Sequence, residues 1–191
     1  MVIALAGRRI DAAGAAPARF PPENVSLVEQ RLRRLLERET ATAVVSSAAC
    51  GADLVAQNIA GTLGLRLRVV LPFDRSRFRD TSVTDRGGGW GPVYDRLLHE
   101  LDASGDVVTL ATSGEDTAAY EAVNLAILDQ AAAMGAEAGG EVLAVMVWEG
   151  ASRGPDDLTA AFGEEARRRG LRVEQVLTLY EAHPLPGVTY R

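Results

Sequence analysis

Residues 43–71 read AVVSSAACGADLVAQNIAGTLGLRLRVVL. The stretch opens on a short apolar run, Ala43–Ser46, and passes through the small residues Ser47, Ala48, Ala49, Cys50 and Gly51. From Gly51 to Leu63 the pattern is helical, with Val55, Ile59 and Leu63 in one row. Gly64 stops that helix, and residues 65–71 form a second apolar run that ends at Pro72. Two strands separated by a helix cannot be joined as a hairpin. They are parallel neighbours, because only parallel strands need such a crossover.

The same alternation extends in both directions. Residues 2–6 are a first strand ended by Gly7, and residues 8–23 a loop with Gly14, Pro17, Pro21 and Pro22. Residues 24–39 carry Val28, Leu32, Leu35 and Leu36 on one helical stripe. Beyond Pro72 the pattern predicts a long polar loop over 72–92 containing Gly87-Gly88-Gly89, then a helix over 93–103 and a strand over 106–110. A helix capped by Asp116 or Thr117 runs to about Met134 and a small-residue loop over 135–140 follows it. Val142–Trp148 is the most apolar strand, residues 156–169 are helical, and residues 171–177 are a last strand. Strands buried on both faces read as continuous apolar runs, as these do. The expected fold is therefore α/β: a Rossmann-like three-layer sandwich, its mostly parallel sheet covered by helices on both faces. Residues 1–180 are expected to form a single domain, with a Pro-containing tail over 181–191.

Composition narrows the function classes. The 191 residues are 47% hydrophobic with a formal net charge of −6. An acidic chain is a poor partner for nucleic acid, whose binding rests on phosphate neutralisation by basic residues. The basic residues are arginine rather than lysine. Two clusters, Arg31/Arg33/Arg34/Arg38 and Arg167/Arg168/Arg169, fall on expected helices and read as solvated faces. One cysteine and two histidines leave no basis for a disulfide framework or a metal site. No apolar run is long enough to span a membrane, so no membrane partner is expected and the cytoplasm is the expected location.

Ligands of open parallel sheets bind at the carboxyl ends of the strands, so the segments after each strand hold the candidates. After the first come Gly7, for a sharp turn, then Arg8, Arg9 and Asp11; the arginines either hold an anion through forked hydrogen bonds or pair internally with Asp11. If Arg8 is an anion anchor, Arg8→Ala weakens ligand binding without unfolding the chain. After the second strand, Ser46, Ser47, Cys50, Gly51 and Asp53 surround a helix start that favours anions. Asp53 either caps that helix or holds a ribose; Cys50 is a structural thiol or, with a lowered pKa at the helix start, a nucleophile. After the third, Pro72, Phe73, Phe78, Ser82 and Trp90 form either a lid over a planar base or a loop anchored by its aromatics. Tyr120 and Asn124 lie four apart on one helix face that Ile127 continues, and Thr159 stands at a further helix start. No Gly-x-Gly-x-x-Gly, Walker-type or Gly-x-Ser-x-Gly motif is present.

Ser46 to Ala56, with Leu63-Gly64 and Val69-Val70-Leu71-Pro72-Phe73, resembles the SMF/DprA–LOG (SLOG) superfamily. Gly7 to Asp11, Arg19-Phe20-Pro21, Phe78, Ser82-Val83, Trp90 and Tyr120 resemble a bacterial branch of it. The resemblance implies a Rossmann-like domain with a nucleotide-like ligand at Gly7, Arg8, Ser47, Gly51 and Asp53. It also implies a role in sensing nucleotide-derived signals, in bacterial stress or anti-phage signalling. The LOG enzymes of the superfamily cleave N-glycosidic bonds through a Pro-Gly-Gly-x-Gly-Thr-x-x-Glu loop. Here the corresponding place reads GPDDLTAAF over residues 154–162, without those glycines or that glutamate. Binding of a nucleotide-like small molecule is therefore the expected function, with an N-glycosidase or phosphoribohydrolase-like activity as the alternative and single-stranded DNA binding third. The resemblance names no cofactor. Exposed helix faces in such domains often pair, which makes a homodimer the expected assembly.

Overall fold

The structure is a computed structural model that describes residues 1–112 and 117–180. Asp116, one of the two expected caps, and the tail from residue 181 with His183 lie outside the described residues. The chain runs β1 (Val2–Gly7), α1 (Val25–Arg38), β2 (Ala43–Ser46), α2 (Ala52–Thr62) and β3 (Arg66–Leu71). It continues with α3 (Arg75–Phe78), α4 (Trp90–Asp102), β4 (Val107–Thr109), α5 (Thr117–Ala138), β5 (Val142–Trp148), α6 (Leu158–Arg168) and β6 (Arg172–Leu177). The six strands form one parallel sheet in the order β4-β3-β2-β1-β5-β6. The α/β sandwich expected from the alternation is the observed architecture.

Successive strand residues face opposite sides of the sheet, and the two faces differ. Ile3, Leu5, Val44, Val69 and Val145 meet the apolar stripes of α1, α2 and α4. Val2, Ala4, Ala6, Ala43 and Ala144 meet α5 and α6 through Val123, Ile127, Ala131 and Phe162. Small residues on this second face bring the helices close. Gly163 of α6 is one case: a Cβ there would lie 2.2 Å from Met146 Sδ.

Two segments depart from expectation. Residues 72–92 are not an open loop. They hold α3, a π-helical turn over Arg79–Val83, and the start of α4 at Trp90. Pro92 sits in the first turn of α4, where its missing N–H costs nothing. Burial of Phe73, Phe78, Val83 and Tyr94 orders the segment. The fifth helix continues through Ala138, since Ala136 to Ala138 are good helix formers. Within it Gly135 gives way to Val142 and Gly140, whose atoms lie 3.0 and 3.1 Å from where its Cβ would be.

The strand order locates the site. From β1 the chain steps outward through β2 and β3 to β4, and α5 then returns it to β5 on the other side of β1. The direction of winding reverses between β1 and β5, and a crevice opens there at the strand carboxyl ends. Gly7 is required at that point by close approach rather than by a turn. It is the last residue of β1, and a Cβ would lie 2.5 Å from Ala52 Cβ and 2.7 Å from the Val147 carbonyl oxygen. Gly7→Ala is expected to lower stability by about 1–3 kcal/mol through this overpacking. Urea unfolding checks this, and an unchanged midpoint would contradict it.

Candidate functional site

β1 delivers two arginines to the crevice, and they do different work. The Arg8 backbone N–H still donates to the Val147 carbonyl, so the ladder carries the side chain towards β5. Arg8 is 5% exposed. Its Nε donates to Glu149 Oε2 at 2.5 Å and its Nη1 to Asp157 Oδ1 at 2.6 Å. Nη2 reaches Asp157 Oδ2 at 2.7 Å, Glu149 Oε1 at 3.1 Å and the Ala151 carbonyl at 3.1 Å. Arg19 adds a second cation on Glu149 at 2.6 Å. Asp157 in turn caps α6 by accepting from the Thr159 and Ala160 N–H groups. Burial alone would raise the Asp157 carboxyl, but Arg8 and the N–H groups of Arg153 and Ala160 hold it well below the usual carboxylate range. Arg8 is thus an internal clamp between β1 and the β5–α6 segment, not an arm held out to an anion. Asp11 does not pair with it. The Asp11 carboxylate accepts from the Arg19 and Phe20 N–H groups and closes the loop between them.

The β2–α2 segment folds back on β1. Gly51, at φ 112°, bridges Arg9, and a Cβ there would meet Ile10 N at 2.6 Å and Arg8 O at 2.7 Å. Ser46 is fully buried; its hydroxyl donates to the Ser47 carbonyl and accepts from Gln57 Nε2. Cys50 is buried too, and its N–H donates to the Ser82 carbonyl. Burial pushes the Cys50 thiol up, despite Arg9 Nη2 at 3.7 Å, so the helix start does not activate it. Asp53, 7% exposed in the first turn of α2, accepts the Ala49 N–H through Oδ2 at 3.2 Å. Burial raises its carboxyl to about 7 against the opposing pull of that N–H and of Arg9.

A cavity of about 250 Å³ opens at this edge. Its inner wall is Ala6, Gly7, Ser47 and Ala49. Tyr120, Val123, Asn124 and Ile127 form one side along α5, and Leu158 and Thr159 close the end at α6. Arg9, Asp53, Phe78 and Ser82 complete it. Of the residues expected from the sequence, Gly7, Arg9, Ser47, Asp53, Phe78, Tyr120, Asn124 and Thr159 meet here. Ser46, Cys50 and Gly51 stand behind the wall as scaffold. Pro72, Phe73 and Trp90 lie outside it. Phe73 packs edge-on to Tyr120 at 6.4 Å and against Phe78 at 6.1 Å, and the Pro72 carbonyl accepts from Thr112. The aromatics of 73–90 therefore anchor a packed segment and not a lid. Val123 was legible as the i+3 neighbour of Tyr120; Ala6, Ala49 and Leu158 carry no signal beyond apolarity. A hollow of about 300 Å³ between α2 and α4 lies on the helix flank, away from the strand ends.

Asn124 and Tyr120 are oriented by the fold. Asn124 Nδ2 donates to the Leu158 carbonyl at 2.8 Å and ties α5 to α6. The Tyr120 hydroxyl lies 3.3 Å from Ser82 Oγ. The stretch 154–162 carries two carboxylates, Asp156 and Asp157, and Asp157 is committed to Arg8 and the α6 cap.

No family model matches the chain, and no curated protein matches it. Among solved structures the chain is similar to DNA processing protein A (DprA) from Streptococcus pneumoniae. The identity is 14% and the TM-score 0.39, over 88% of this chain and 61% of that one. The chain therefore spans less than two thirds of that structure, and the similarity carries no argument about the site.

Two expectations follow from the geometry. Arg8→Ala leaves the buried Asp157 and the half-buried Glu149 with one cation fewer, and is expected to cost about 3–5 kcal/mol. This reverses the outcome read from the sequence. Denaturant unfolding decides it, and a fully stable variant with weakened ligand binding would restore the anchor reading. Asp53 bears on pH. The unfolded chain releases that proton near the ordinary value of 3.8, the folded chain near 7. The native state holds more protons between, so this group's contribution to stability falls as pH rises through that window. Asp53→Asn keeps an acceptor for the Ala49 N–H without the charge. It is expected to exceed wild type at pH 8 by on the order of 2 kcal/mol, with the gap closing near pH 4. A variant less stable than wild type at pH 8 would contradict this.

Proposed function

We propose that the cleft binds a nucleotide or nucleotide-derived small molecule and that the chain works as a binding or sensing domain. The observation that carries this reading is the preformed cavity at the winding reversal between β1 and β5, where open α/β sheets take their ligands. Its walls suit a flat ligand with a polar edge: Val123, Ile127, Ala6 and Phe78 offer apolar surface, and Arg9, Asp53, Ser47 and Ser82 offer hydrogen-bonding groups. The arginines of the surface support a small ligand over a DNA strand. Arg168 and Arg169 pair with Glu165, Arg75 with Asp102 and Arg79 with Asp95, whereas a strand-tracking groove needs unneutralised charge.

The test is a melting series against nucleosides, nucleotides, NAD and cyclic dinucleotides, with the products analysed by mass spectrometry. A ligand that binds only the folded state raises Tm, so a rise without turnover is the expected result. Ser47→Phe, which places a ring on the cavity wall, is expected to abolish the rise and leave the Tm of the free protein within a few degrees. Turnover would replace the sensing reading with an enzymatic one, and a rise unaffected by Ser47→Phe would move the site elsewhere.

A further inference from the structure

The cations at the carboxyl edge are already matched. Arg8 is held by Glu149 and Asp157, and Arg19 by Glu149. Arg153 stands 3.7 Å from Asp157. Arg9, the cation of the cavity wall, is paired with Asp85. Arg86 donates to the Ile10 carbonyl and stands 3.9 Å from the same Asp85. The start of α6 is matched as well: Asp157 takes the Thr159 and Ala160 N–H groups. Asp53 takes the Ala49 N–H of the segment before α2. Both arginines that the sequence offered to a phosphate, Arg8 and Arg9, have carboxylate partners. A phosphate entering the cavity would meet Asp53 on its wall and Asp85 just behind Arg9.

The polar groups of the wall ask for something else. Arg9 Nε is buried and has no hydrogen-bond partner, although the same guanidinium is engaged through Nη2. A buried donor without an acceptor is costly, and it lies on a residue of the cavity wall. Asp53 has only one N–H on its carboxyl, and the Ser82 and Tyr120 hydroxyls can each donate or accept. The cavity is also small: about 250 Å³, below the roughly 300–1,000 Å³ of sites for larger ligands.

Resting on the proposed nucleotide-derived ligand, we infer that the cleft selects the uncharged form, a nucleoside or free base, over its phosphorylated counterpart. The heterocycle lies against the α5 stripe, and an acceptor on its edge takes the Arg9 Nε–H. Phosphate is disfavoured because the guanidiniums at this edge are already engaged by acceptors of the chain, Arg9 by Asp85 among them.

Calorimetric titration with adenosine, guanosine, cytidine and uridine, each beside its 5′-monophosphate, tests this at constant ionic strength. The expected result is at least one nucleoside binding ten times or more tighter than its monophosphate. A monophosphate that binds as tightly or more tightly overturns the inference and leaves the proposed function standing. Binding of none of the eight overturns the inference, and a rise in Tm with NAD or a cyclic dinucleotide in the melting series would then leave the proposed function standing. Two variants separate the causes. Asp85→Asn, which frees Arg9, is expected to narrow the nucleoside preference fivefold or more, and an unchanged ratio counts against exclusion by charge. Arg9→Lys keeps the charge but removes the Nε–H, and is expected to weaken nucleoside binding about tenfold; unchanged affinity counts against that donor.

Discussion

Arg8 reaches from the end of β1 to two carboxylates on the segment between β5 and α6, at the place where the sheet's winding reverses. Taking three charged groups out of water is costly, and the cluster persists because each charge finds opposite charge and hydrogen bonds together. Glu149 is shared with Arg19, and Asp157 with the first N–H groups of α6. The Arg8 carbonyl accepts the Ala52 N–H and so registers α2 against β1. One residue therefore sets the relative positions of β1, α2, β5 and α6. The Leu158–Thr159 end of the cleft and the Asn124 bond to it stand where this clamp puts them.

The same economy of charge shapes the cleft. Residues that look like an anion site in the sequence, two arginines and the start of α6, are engaged by carboxylates of the chain itself. What faces the cavity is a nearly neutral surface of apolar side chains, hydroxyls, one buried carboxyl and one guanidinium that is already paired. Its chemistry suits hydrogen bonding to an uncharged edge more than attraction of an anion.

The fold was legible because its signals are local. Apolar runs alternating with helical stripes require parallel pairing, and Gly64 and Gly170 end helices where the pattern stops. The approximate address of the site followed from the strand ends. The role of each residue did not, because it depends on partners distant in sequence. Arg8 meets Glu149 and Asp157 some 140 residues away, and spacing cannot tell a clamped arginine from a free one. Gly7 reads as a turn in the sequence, and the structure makes it a close contact of β1 with Ala52 and Val147. Residues 72–92 looked open because their polar content hid the burial of Phe78, Ser82 and Val83 under a π-helical turn.

The central claim about the molecule is that a ligand sits in the cleft at the β1–β5 reversal. Mapping backbone amide shifts by NMR during titration with whichever of the four common nucleosides binds addresses this directly. Perturbations are expected to concentrate at residues 6–9, 47–53, 120–127 and 158–160. Perturbations centred on the hollow between α2 and α4, with those segments unmoved, would contradict it.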